Sequence, residues 1–511
     1  MADQTDVLVI GAGPTGLTIA TDLARRGIRT RIVDAAAGPN TETRALGMQA
    51  RSLELFEKHG ITSELLARGL QTHTFNVFSE NHQILRTSFA QLDSPYPFLL
   101  MIPQNEVQDV LAANLATLGT RVEHHVELVA LTQHTDHVTA ELRHADGRVE
   151  SADADWVIGA DGAHSTVRRL LGLRFLGTSF EENFAVADLR MKWSLPADEF
   201  FAFLNRGRFV AYFPMLHGWH RIAVAQPERP TPTGAVTIEE LQRAVDVCAP
   251  HGAAIAEVRQ AGRFRINQRR VESHSAGRVF LAGDAAHIHS VVGAQGMNTG
   301  IQDAFNLGWK LAAVVRGWAE PALLDTYAAE RAPVARRLVK GTRRITRMTL
   351  LRNPVSTAFR RRIAPPVLGR AHVQRTLTRA ISQIDVSYHD GSGSAPHGRV
   401  AVGDRAPDLL ITGPGGEAIR LFDLLDTDRH TLLVLGEEIH ELDGRYGHHR
   451  EFVHIVQVAD PAAASAYGLA GGGSVLIRPD GYIAARSTAT HPAILDEHIR
   501  RASSGHVLEH R

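Results

Sequence analysis

The sequence predicts a mixed α/β protein in which a parallel sheet covered by helices carries a sheet-rich insertion and a small C-terminal α/β domain. Residues 6–34 read as strand, helix and strand around a glycine-rich turn. Residues 174–275 are rich in aromatic side chains at alternating positions. A Gly, Ser and Pro-rich stretch at 388–398 precedes a last group of short strands. A chain of 511 residues is also too long for one core.

The N-terminal unit has the form of a dinucleotide-binding βαβ motif, with the sequence GAGPTG at residues 11–16. Gly11 permits the tight turn, Gly13 lets the backbone approach a pyrophosphate, and Gly16 lets helix and strand pack closely. The helix that follows directs its free N–H groups at the phosphates. Asp34 ends the second strand, where a ribose hydroxyl needs an acceptor.

Two further motifs follow apolar strands. Asp161 lies in the turn after the strand at 156–159, and a short helix with Ser and Arg comes next. Asp284 follows the strand at 279–282 and can accept a hydrogen bond from a ribityl hydroxyl. A glycine-rich loop then opens a helix near Met297, whose N-terminus offers partial positive charge to an electron-rich flavin edge.

The three motifs together resemble those of the class A flavoprotein monooxygenases, which have the p-hydroxybenzoate hydroxylase-like fold. The resemblance covers about residues 5–345. The C-terminal region is similar to the thioredoxin-like domain of the phenol and polyketide hydroxylase branch, through residues 403–407 and 475–481. It has no CxxC pair, so we expect this domain to be structural and redox-inert.

The fold class that follows from the resemblance is a Rossmann-like FAD-binding domain with an inserted sheet-rich substrate domain and a C-terminal thioredoxin-like domain. The expected boundaries are 1–72, 104–173 and 276–345 for the FAD-binding domain, 73–103 and 174–275 for the substrate-binding domain, 346–395 for a helical region and linker, and 396–511 for the thioredoxin-like domain.

The resemblance also implies which residues bind FAD. Those at the pyrophosphate are Gly11, Gly13, Thr15 and Gly16, and Asp34 replaces the more usual Glu at the adenosine ribose. Arg44 and Gln104 match positions that hold FAD, Leu128 matches one whose backbone meets adenine, and Asp161 belongs to a motif that serves FAD and NAD(P)H. Those matching riboflavin and isoalloxazine contacts are Asp284, Gly296, Met297 and Asn298.

The implied activity is hydroxylation of a phenolic or polycyclic, polyketide- or antibiotic-like substrate through a flavin C4a-hydroperoxide. In this family NADPH or NADH reduces the flavin and leaves, and O₂ then reacts with the reduced flavin. The chain departs from the family at Val291, where relatives carry a proline whose φ is fixed. This departure keeps open an FAD oxidase or dehydrogenase without oxygen transfer. Baeyer–Villiger oxygenation on the same fold also stays open, because the sequence does not separate it from hydroxylation. A non-catalytic FAD-fold protein is a third alternative.

The sequence does not assign a catalytic base. His217, His220 and Tyr212 are candidates to deprotonate a phenol, and Arg206 or Arg208 could hold an anion. The aromatic positions Phe200, Phe201 and Phe203 serve either the core or a substrate wall.

The composition argues against a nucleic-acid-binding, membrane-bound or metal-dependent protein. Lys+Arg and Asp+Glu both number 55, so no global field attracts nucleic acid or an anionic membrane. The single cysteine, Cys248, allows neither a disulfide nor a thiolate metal site, and we expect no metal. From the pattern of apolar residues we expect neither a signal peptide nor a bilayer-spanning segment. We expect a cytoplasmic monomer or homodimer.

Overall fold

The computed structural model describes residues 5–39, 45–179, 183–226, 234–249, 252–289, 295–349, 362–389, 400–413, 416–436 and 452–488. Its α-helices are α1 (Pro14–Arg25), α2 (Ala50–Glu57), α3 (Thr62–Arg68), α4 (Gln104–Thr117), α5 (Thr166–Leu170), α6 (Ile238–Cys248), α7 (Gly296–Val315), α8 (Asp325–Thr349), α9 (Ala364–Leu368), α10 (Ala371–Ile381) and α11 (Pro461–Ala466).

The strands in the first half of the chain are β1 (Thr5–Ile10), β2 (Thr30–Asp34), β3 (Leu46–Met48), β4 (Leu70–Thr72), β5 (Thr74–Ser79), β6 (His82–Ser88), β7 (Leu99–Pro103), β8 (Val122–His124), β9 (Glu127–Gln133), β10 (Val138–Arg143), β11 (Val149–Gly159), β12 (Phe175–Ser179), β13 (Asn183–Lys192), β14 (Phe200–Asn205), β15 (Arg208–Pro214) and β16 (His220–Gln226). The later strands are β17 (Ala254–Phe264), β18 (Asn267–Val271), β19 (Ser275–Ala276), β20 (Val279–Leu281), β21 (His287–Ile288), β22 (Leu410–Thr412), β23 (Ala418–Arg420), β24 (His430–Leu435), β25 (Val453–Val458), β26 (Gly473–Ile477) and β27 (Ile483–Ser487).

The first sheet has β1 at its centre. Its order is β19-β20-β11-β1-β2-β8, with β9 and β10 joined to β11. β1 is parallel to both β11 and β2, and its side chains alternate between two buried faces. Val7 and Val9 belong to the core that includes α1, α4 and α7, whereas Leu8 and Ile10 belong to the core under the β9–β10 hairpin. Burial on both faces explains the uninterrupted apolar sequence of β1.

The second sheet has seven strands in the order β17-β13-β16-β15-β14-β5-β6. Its pairs are antiparallel except β14 with β5, which run parallel because a long segment of chain separates them. α6 packs against one face, and the other face contributes to a separate core with Phe200 and Phe209. A third sheet has the order β12-β18-β21, and it joins the insertion to the strand that follows Asp284.

The C-terminal residues form a four-stranded sheet in the order β25-β24-β26-β27. β25 is parallel to β24, whereas β26 and β27 are antiparallel to their neighbours. Charged side chains join this C-terminal region to the first domain, including a buried pair between Glu54 of α2 and Arg405, which precedes β22. The mixed α/β architecture is the one predicted.

Two smaller features bear on the sequence analysis. Cys248 ends α6, and burial raises the pKa of its thiol to about 12, so the thiol stays protonated and unreactive. Across the described ranges, none of the helices combines the length and the apolarity needed to cross a membrane. Nor does this part of the chain group three or more His, Cys, Asp or Glu side chains in an arrangement that could hold a metal ion.

Candidate active site

Two helix N-termini open onto one cavity of about 340 Å³, which we term the first cavity. α1 begins after Gly13 and α7 begins after Gln295, and within the described residues neither helix has a side chain that caps its first turn. Such a turn presents free N–H groups and the positive end of the helix dipole. Gly13, Gly296 and Met297 line the cavity. It therefore suits a ligand with an anionic group at one point and an electron-rich group at another.

The glycine loop before α1 combines close contact with open space. Gly11 has φ +103°, and a Cβ there would lie 2.5 Å from the carbonyl oxygen of Ala160. A Cβ at Gly16 would overlap the carbonyl oxygen of Gly11. At Gly13, by contrast, a Cβ would meet nothing within 4 Å in the described structure. The first and third glycines thus serve the fold, and the second leaves room for a ligand.

Asp34 holds the glycine loop from the end of β2. Its Oδ2 accepts a hydrogen bond from the backbone N–H of Ala12 at 2.6 Å, and its Oδ1 accepts one from that of Ala36 at 2.8 Å. An ionised carboxylate offers about four acceptor positions. Asp34 can therefore still accept a hydrogen bond from a ribose hydroxyl.

Thr15 brings α1 and α7 together at the cavity. Its hydroxyl occupies the space where a Cβ would stand at both Gly283 and Gly300. Gly283 has φ +60°, a backbone conformation that favours glycine. The next residue, Asp284, is exposed and lines the first cavity.

A buried carboxylate in α7 fixes the loop that carries Asp284. Oδ2 of Asp303 accepts a hydrogen bond from the N–H of Gly283 at 3.0 Å and lies 2.7 Å from Nε2 of His287. Oδ1 accepts one from Nε of Arg331 at 2.6 Å. Burial opposes ionisation of Asp303, but the charges of Arg331 and His287 more than offset it and lower its pKa below the usual range.

The structure brings most of the sequence-predicted residues to the first cavity. Those that line it are Gly13, Thr15, Gln104, Asp284, Gly296 and Met297. Gly11, Gly16 and Asp34 form the turn beneath it. Arg44 and Val291 lie outside the described residues.

Three other predicted residues have side chains directed elsewhere. The side chain of Leu128 is buried in the core under the β9–β10 hairpin. Asp161 caps α5, because its Oδ2 accepts hydrogen bonds from the N–H groups of Thr166 at 2.6 Å and Val167 at 3.1 Å. The amide of Asn298 is buried and bonds to residues 47–52. Leu128 and Asn298 can thus reach a ligand only through their backbone.

Sequence reasoning missed a buried ion pair in the wall of the first cavity. Arg221 of β16 lines the cavity and pairs with Asp188 of β13, with Nε to Oδ1 at 2.6 Å and Nη2 to Oδ2 at 2.9 Å. Its Nη1 also donates to the carbonyl oxygen of Ala45 at 3.2 Å. The alternating pattern of β16 predicts which side chains point inward, but no local pattern distinguishes Arg221 from the other arginines.

A second cavity of about 460 Å³ lies between the seven-stranded sheet and the helices α8, α9 and α10. Most of its lining is apolar and includes Phe75, Phe89, Phe200 and Leu338. Arg337 pairs with Asp385 in its wall. A flat, apolar ring system matches such a lining.

The two cavities share a wall. Phe213, Ala223 and Gln295 line both. Gln295 precedes the first residue of α7, and its Nε2 donates to the carbonyl oxygen of Ala380 in α10 at 3.0 Å. A ligand in the second cavity would thus contact the same side chains as a ligand in the first.

Strand parity separates the aromatic residues of β14. Phe200 lines the second cavity, whereas Phe201 and Phe203 pack on the opposite face with α6. Phe200 thus faces a cavity, whereas Phe201 and Phe203 belong to the core.

The side chains considered as bases are not found among the residues described for either cavity. Tyr212 lies on the α6 side, where its ring stacks between Trp193 and His220, with centroids 3.8 and 4.7 Å away. Burial lowers the pKa of His220 to about 4, so its ring is neutral at neutral pH. His217 is exposed, and Arg206 pairs with Glu80 at 3.2 Å on the surface.

Comparison with known proteins agrees with this geometry. Residues 4–342 match the family model described as FAD binding domain, and residues 399–504 match the one described as aromatic-ring hydroxylase, C-terminal. The chain belongs to this family of FAD-dependent aromatic-ring hydroxylases. It is an FAD-dependent monooxygenase, and the resemblance inferred from the three motifs is confirmed.

The proteins to which the chain is similar are monooxygenases, and the similarity extends over nearly their whole length. The chain is 36% identical to 6-methylpretetramide 4-monooxygenase from Streptomyces rimosus, over 95% of this chain and 91% of that protein. It is 34% identical to rifampicin monooxygenase from Rhodococcus hoagii, over 94% and 95%. The structure of OxyS anhydrotetracycline hydroxylase from Streptomyces rimosus aligns with a TM-score of 0.79 and 32% identity, covering 99% of this chain and 100% of that one.

Proposed function

We propose that this enzyme uses NAD(P)H and O₂ to hydroxylate a polycyclic aromatic compound of the kind found among antibiotic polyketides. FAD occupies the first cavity and the aromatic substrate the second. The observation that carries the proposal is the wall shared by the two cavities, at Phe213, Ala223 and Gln295. The substrate class is supported by relatives that are named as monooxygenases of 6-methylpretetramide, anhydrotetracycline and rifampicin.

The first cavity fits FAD. The open space at Gly13 admits a pyrophosphate, which the free N–H groups of α1 and the neighbouring Gly11, Thr15 and Gly16 surround. Asp34 accepts a hydrogen bond from the adenosine ribose.

The remaining FAD contacts in the proposal come from other elements. The backbone of Leu128 lies at the adenine, Gln104 and Asp161 lie along the cofactor, and Asp284 accepts from a ribityl hydroxyl. The backbone N–H groups of Gly296, Met297 and Asn298 donate to the pyrimidine edge of the flavin, and Arg44 completes the set.

The residues of this chain bind, orient and exclude water. Reduced FAD supplies the activation of O₂. The positive end of α7 stabilises negative charge on the pyrimidine edge. Arg221, whose charge Asp188 balances, lies in the cavity wall. The apolar lining of the second cavity excludes water from the reacting atoms. Gln295 orients the substrate through its amide.

The test is turnover of the FAD-loaded enzyme under ¹⁸O₂ with a panel of polycyclic phenols and NADPH or NADH. We expect one ¹⁸O atom in the product and close to one NAD(P)H consumed for each product. Insertion of labelled oxygen into a ring C–C bond would indicate Baeyer–Villiger chemistry instead. Unlabelled product, or H₂O₂ that accounts for all the NAD(P)H, would refute oxygen transfer and leave the oxidase alternative.

A variant at Gly341 checks the location of the substrate in the same assay. Gly341 of α8 lines the second cavity, and a Cβ there would meet nothing within 4 Å among the described residues. Gly341→Phe should therefore narrow the cavity without a clash and reduce labelled product by roughly an order of magnitude or more. Gly341→Ala should retain activity, and both variants should keep bound FAD.

The location and assembly of the enzyme follow from the same proposal. NAD(P)H is an intracellular reductant, so we propose that the enzyme acts in the cytoplasm, on a small molecule and without a nucleic-acid or membrane partner. We propose a monomer or homodimer, which size-exclusion chromatography with light scattering would distinguish from larger assemblies.

A further inference from the structure

One segment of this neutral chain carries a large local excess of positive charge. Between Glu330 and Asp385 the sequence contains fourteen Arg and Lys residues and no Asp or Glu. The described part of this segment is most of α8 together with α9 and α10, the three helices that line the second cavity. A strong local positive potential therefore surrounds the active site on this side.

The charges are densest on one face of α8. Lys340, Arg343, Arg344 and Arg347 are spaced i, i+3, i+4 and i+7, and we call them the cationic face. With Met348 they line a shallow groove of about 400 Å³. In the described structure none of the four forms an ion pair or side-chain hydrogen bond. Like charges at these spacings repel each other, so a bound anion would relieve an existing repulsion.

The cationic face and part of the wall of the second cavity are two sides of one helix, α8. The opposite side of the same helical turns lines the second cavity through Leu338, Thr342 and Ile345. Thr342 also accepts a hydrogen bond from Nε2 of Gln268 in β18 at 3.5 Å, and the preceding residue, Asn267, lines the first cavity. A ligand on the cationic face therefore has α8 and β18 between it and the flavin cavity, so an extended dinucleotide has to pass around α8 to reach the flavin.

We propose that the cationic face holds the phosphate groups of NADPH while its nicotinamide reduces the flavin. This inference rests on the proposed function, which requires a dinucleotide reductant. The single GxGxxG turn of the chain is assigned to FAD, so NADPH needs a binding surface of another kind. Its pyrophosphate and 2′-phosphate complement a row of guanidinium and ammonium groups, which form charge-assisted hydrogen bonds with phosphate.

The aromatic substrate fits this surface less well. The lining of the second cavity is mostly apolar, and the cation there, Arg337, already pairs with Asp385. The unpaired cations lie outside that cavity, where a flat apolar molecule gains nothing from them. Phosphate groups are the ligand chemistry that matches four neighbouring cations.

The first experiment measures anaerobic flavin reduction by stopped flow with increasing NADPH in R343Q/R344Q. We expect the apparent Kd for NADPH to rise about tenfold, with an unchanged limiting rate of reduction. The dependence of Kd on ionic strength should also weaken, because salt screens charges that the variant lacks. NADH lacks the 2′-phosphate, so its Kd should change less. The matched control is R121Q/R148Q, which removes two exposed arginines that directly precede β8 and β11.

The second experiment needs no turnover. Calorimetric titration with 2′,5′-ADP should show binding to the FAD-loaded wild type and to R121Q/R148Q, and about tenfold weaker binding to R343Q/R344Q. Unchanged affinity for 2′,5′-ADP and NADPH in R343Q/R344Q would overturn the inference. So would a variant in which only the KM for the aromatic compound changes. If NADPH reduces the flavin but no oxygen is transferred, the proposed function fails, and the 2′,5′-ADP result still decides this inference.

Discussion

Gln295 is the polar side chain shared by the two cavities, and it connects two helices. Its Nε2 donates to the carbonyl oxygen of Ala380, and in the described structure its amide oxygen has no hydrogen bond to protein. That oxygen can accept a hydrogen bond from a substrate hydroxyl next to the flavin. A substrate held at this point has its reacting carbon fixed, which strongly affects the rate of a transfer reaction.

Replacing Gln295 should therefore uncouple the reaction without emptying the flavin site. In Gln295→Met the side chain keeps its length but loses both hydrogen bonds. We expect the KM for the aromatic compound to rise about fivefold to tenfold, and a larger share of NADPH to end as H₂O₂. The flavin absorbance spectrum should indicate bound FAD as in the wild type.

Gln374→Met is the matched control for Gln295→Met. Gln374 lies in α10 and, like Gln295, donates from Nε2 to a backbone carbonyl oxygen, that of Arg86 at 3.1 Å. It is not among the residues that line either cavity in the described structure. If both variants uncouple equally, the effect comes from anchoring α10, and the role assigned to Gln295 is wrong.

The sequence predicts the position of a residue best when its neighbours in the site are also its neighbours along the chain. Gly11, Gly16 and Asp34 meet within one βαβ unit, so spacing alone specifies their arrangement. Arg221 and Gln295 meet at the cavities from distant elements, and only the tertiary packing brings them together. Adjacent positions on a helix also diverge, because successive residues point about 100° apart. Met297 lines the first cavity while the side chain of Asn298 points into the core.

At the scale of elements, two glycines at the N-terminus of α1 allow effects on folding to be measured separately from effects on cofactor binding. Gly13 has an ordinary extended conformation with φ −69°, and a Cβ there has open space. Gly13→Glu should fold but place a carboxylate where the pyrophosphate binds. We expect a colourless protein with an FAD affinity reduced by a factor of about 100 or more.

Gly16→Ala tests the other kind of glycine in the same loop. Its Cβ would overlap the carbonyl oxygen of Gly11, so we expect a lower midpoint of thermal unfolding even for the cofactor-free protein. Equilibrium dialysis with FAD and thermal unfolding of both apo-variants separate the two effects. A Gly13→Glu protein that retains FAD at wild-type affinity would contradict the placement of the pyrophosphate.

Strand identity follows from alternation, but the face that each side chain occupies does not. β14 alternates correctly in the sequence, and yet Phe200 and Phe201 serve different purposes because α6 covers one face and a cavity the other. One of the two partners of β14 is β5, which lies more than a hundred residues earlier in the chain. Register between such distant strands is set by packing, so the candidates Tyr212 and His220 could not be assigned to the α6 side from sequence.

At the scale of the whole molecule, buried ion pairs join the C-terminal domain to the first domain. Burial opposes ionisation of Glu54, but the charges of Arg405 and Arg51 more than offset it and lower its pKa to about 2. Burial likewise opposes ionisation of Glu330, and Arg478 and Lys310 lower its pKa to about 2. In the unfolded chain both carboxyls titrate near pH 4.5. Their contribution to stability is therefore complete above pH 4.5 and is lost as the pH falls towards 2.

Removing Glu54 should reveal the energy of this interface. Its carboxylate accepts from Arg405 Nη2 at 2.7 Å and Nε at 2.8 Å, and from Arg51 Nη1 at 2.9 Å, with all three side chains buried. Glu54→Ala leaves two buried guanidinium groups without their carboxylate, so we expect a loss of roughly 3–5 kcal/mol in the free energy of unfolding, measured with urea at pH 7.

The control is Glu64→Ala, which breaks the exposed pair with Arg68 and should cost less than about 1 kcal/mol. The difference between Glu54→Ala and wild type should shrink between pH 4.5 and 2, as the wild-type carboxyl becomes protonated. Equal losses in the two variants at pH 7 would mean that the buried pair does not hold the domains together.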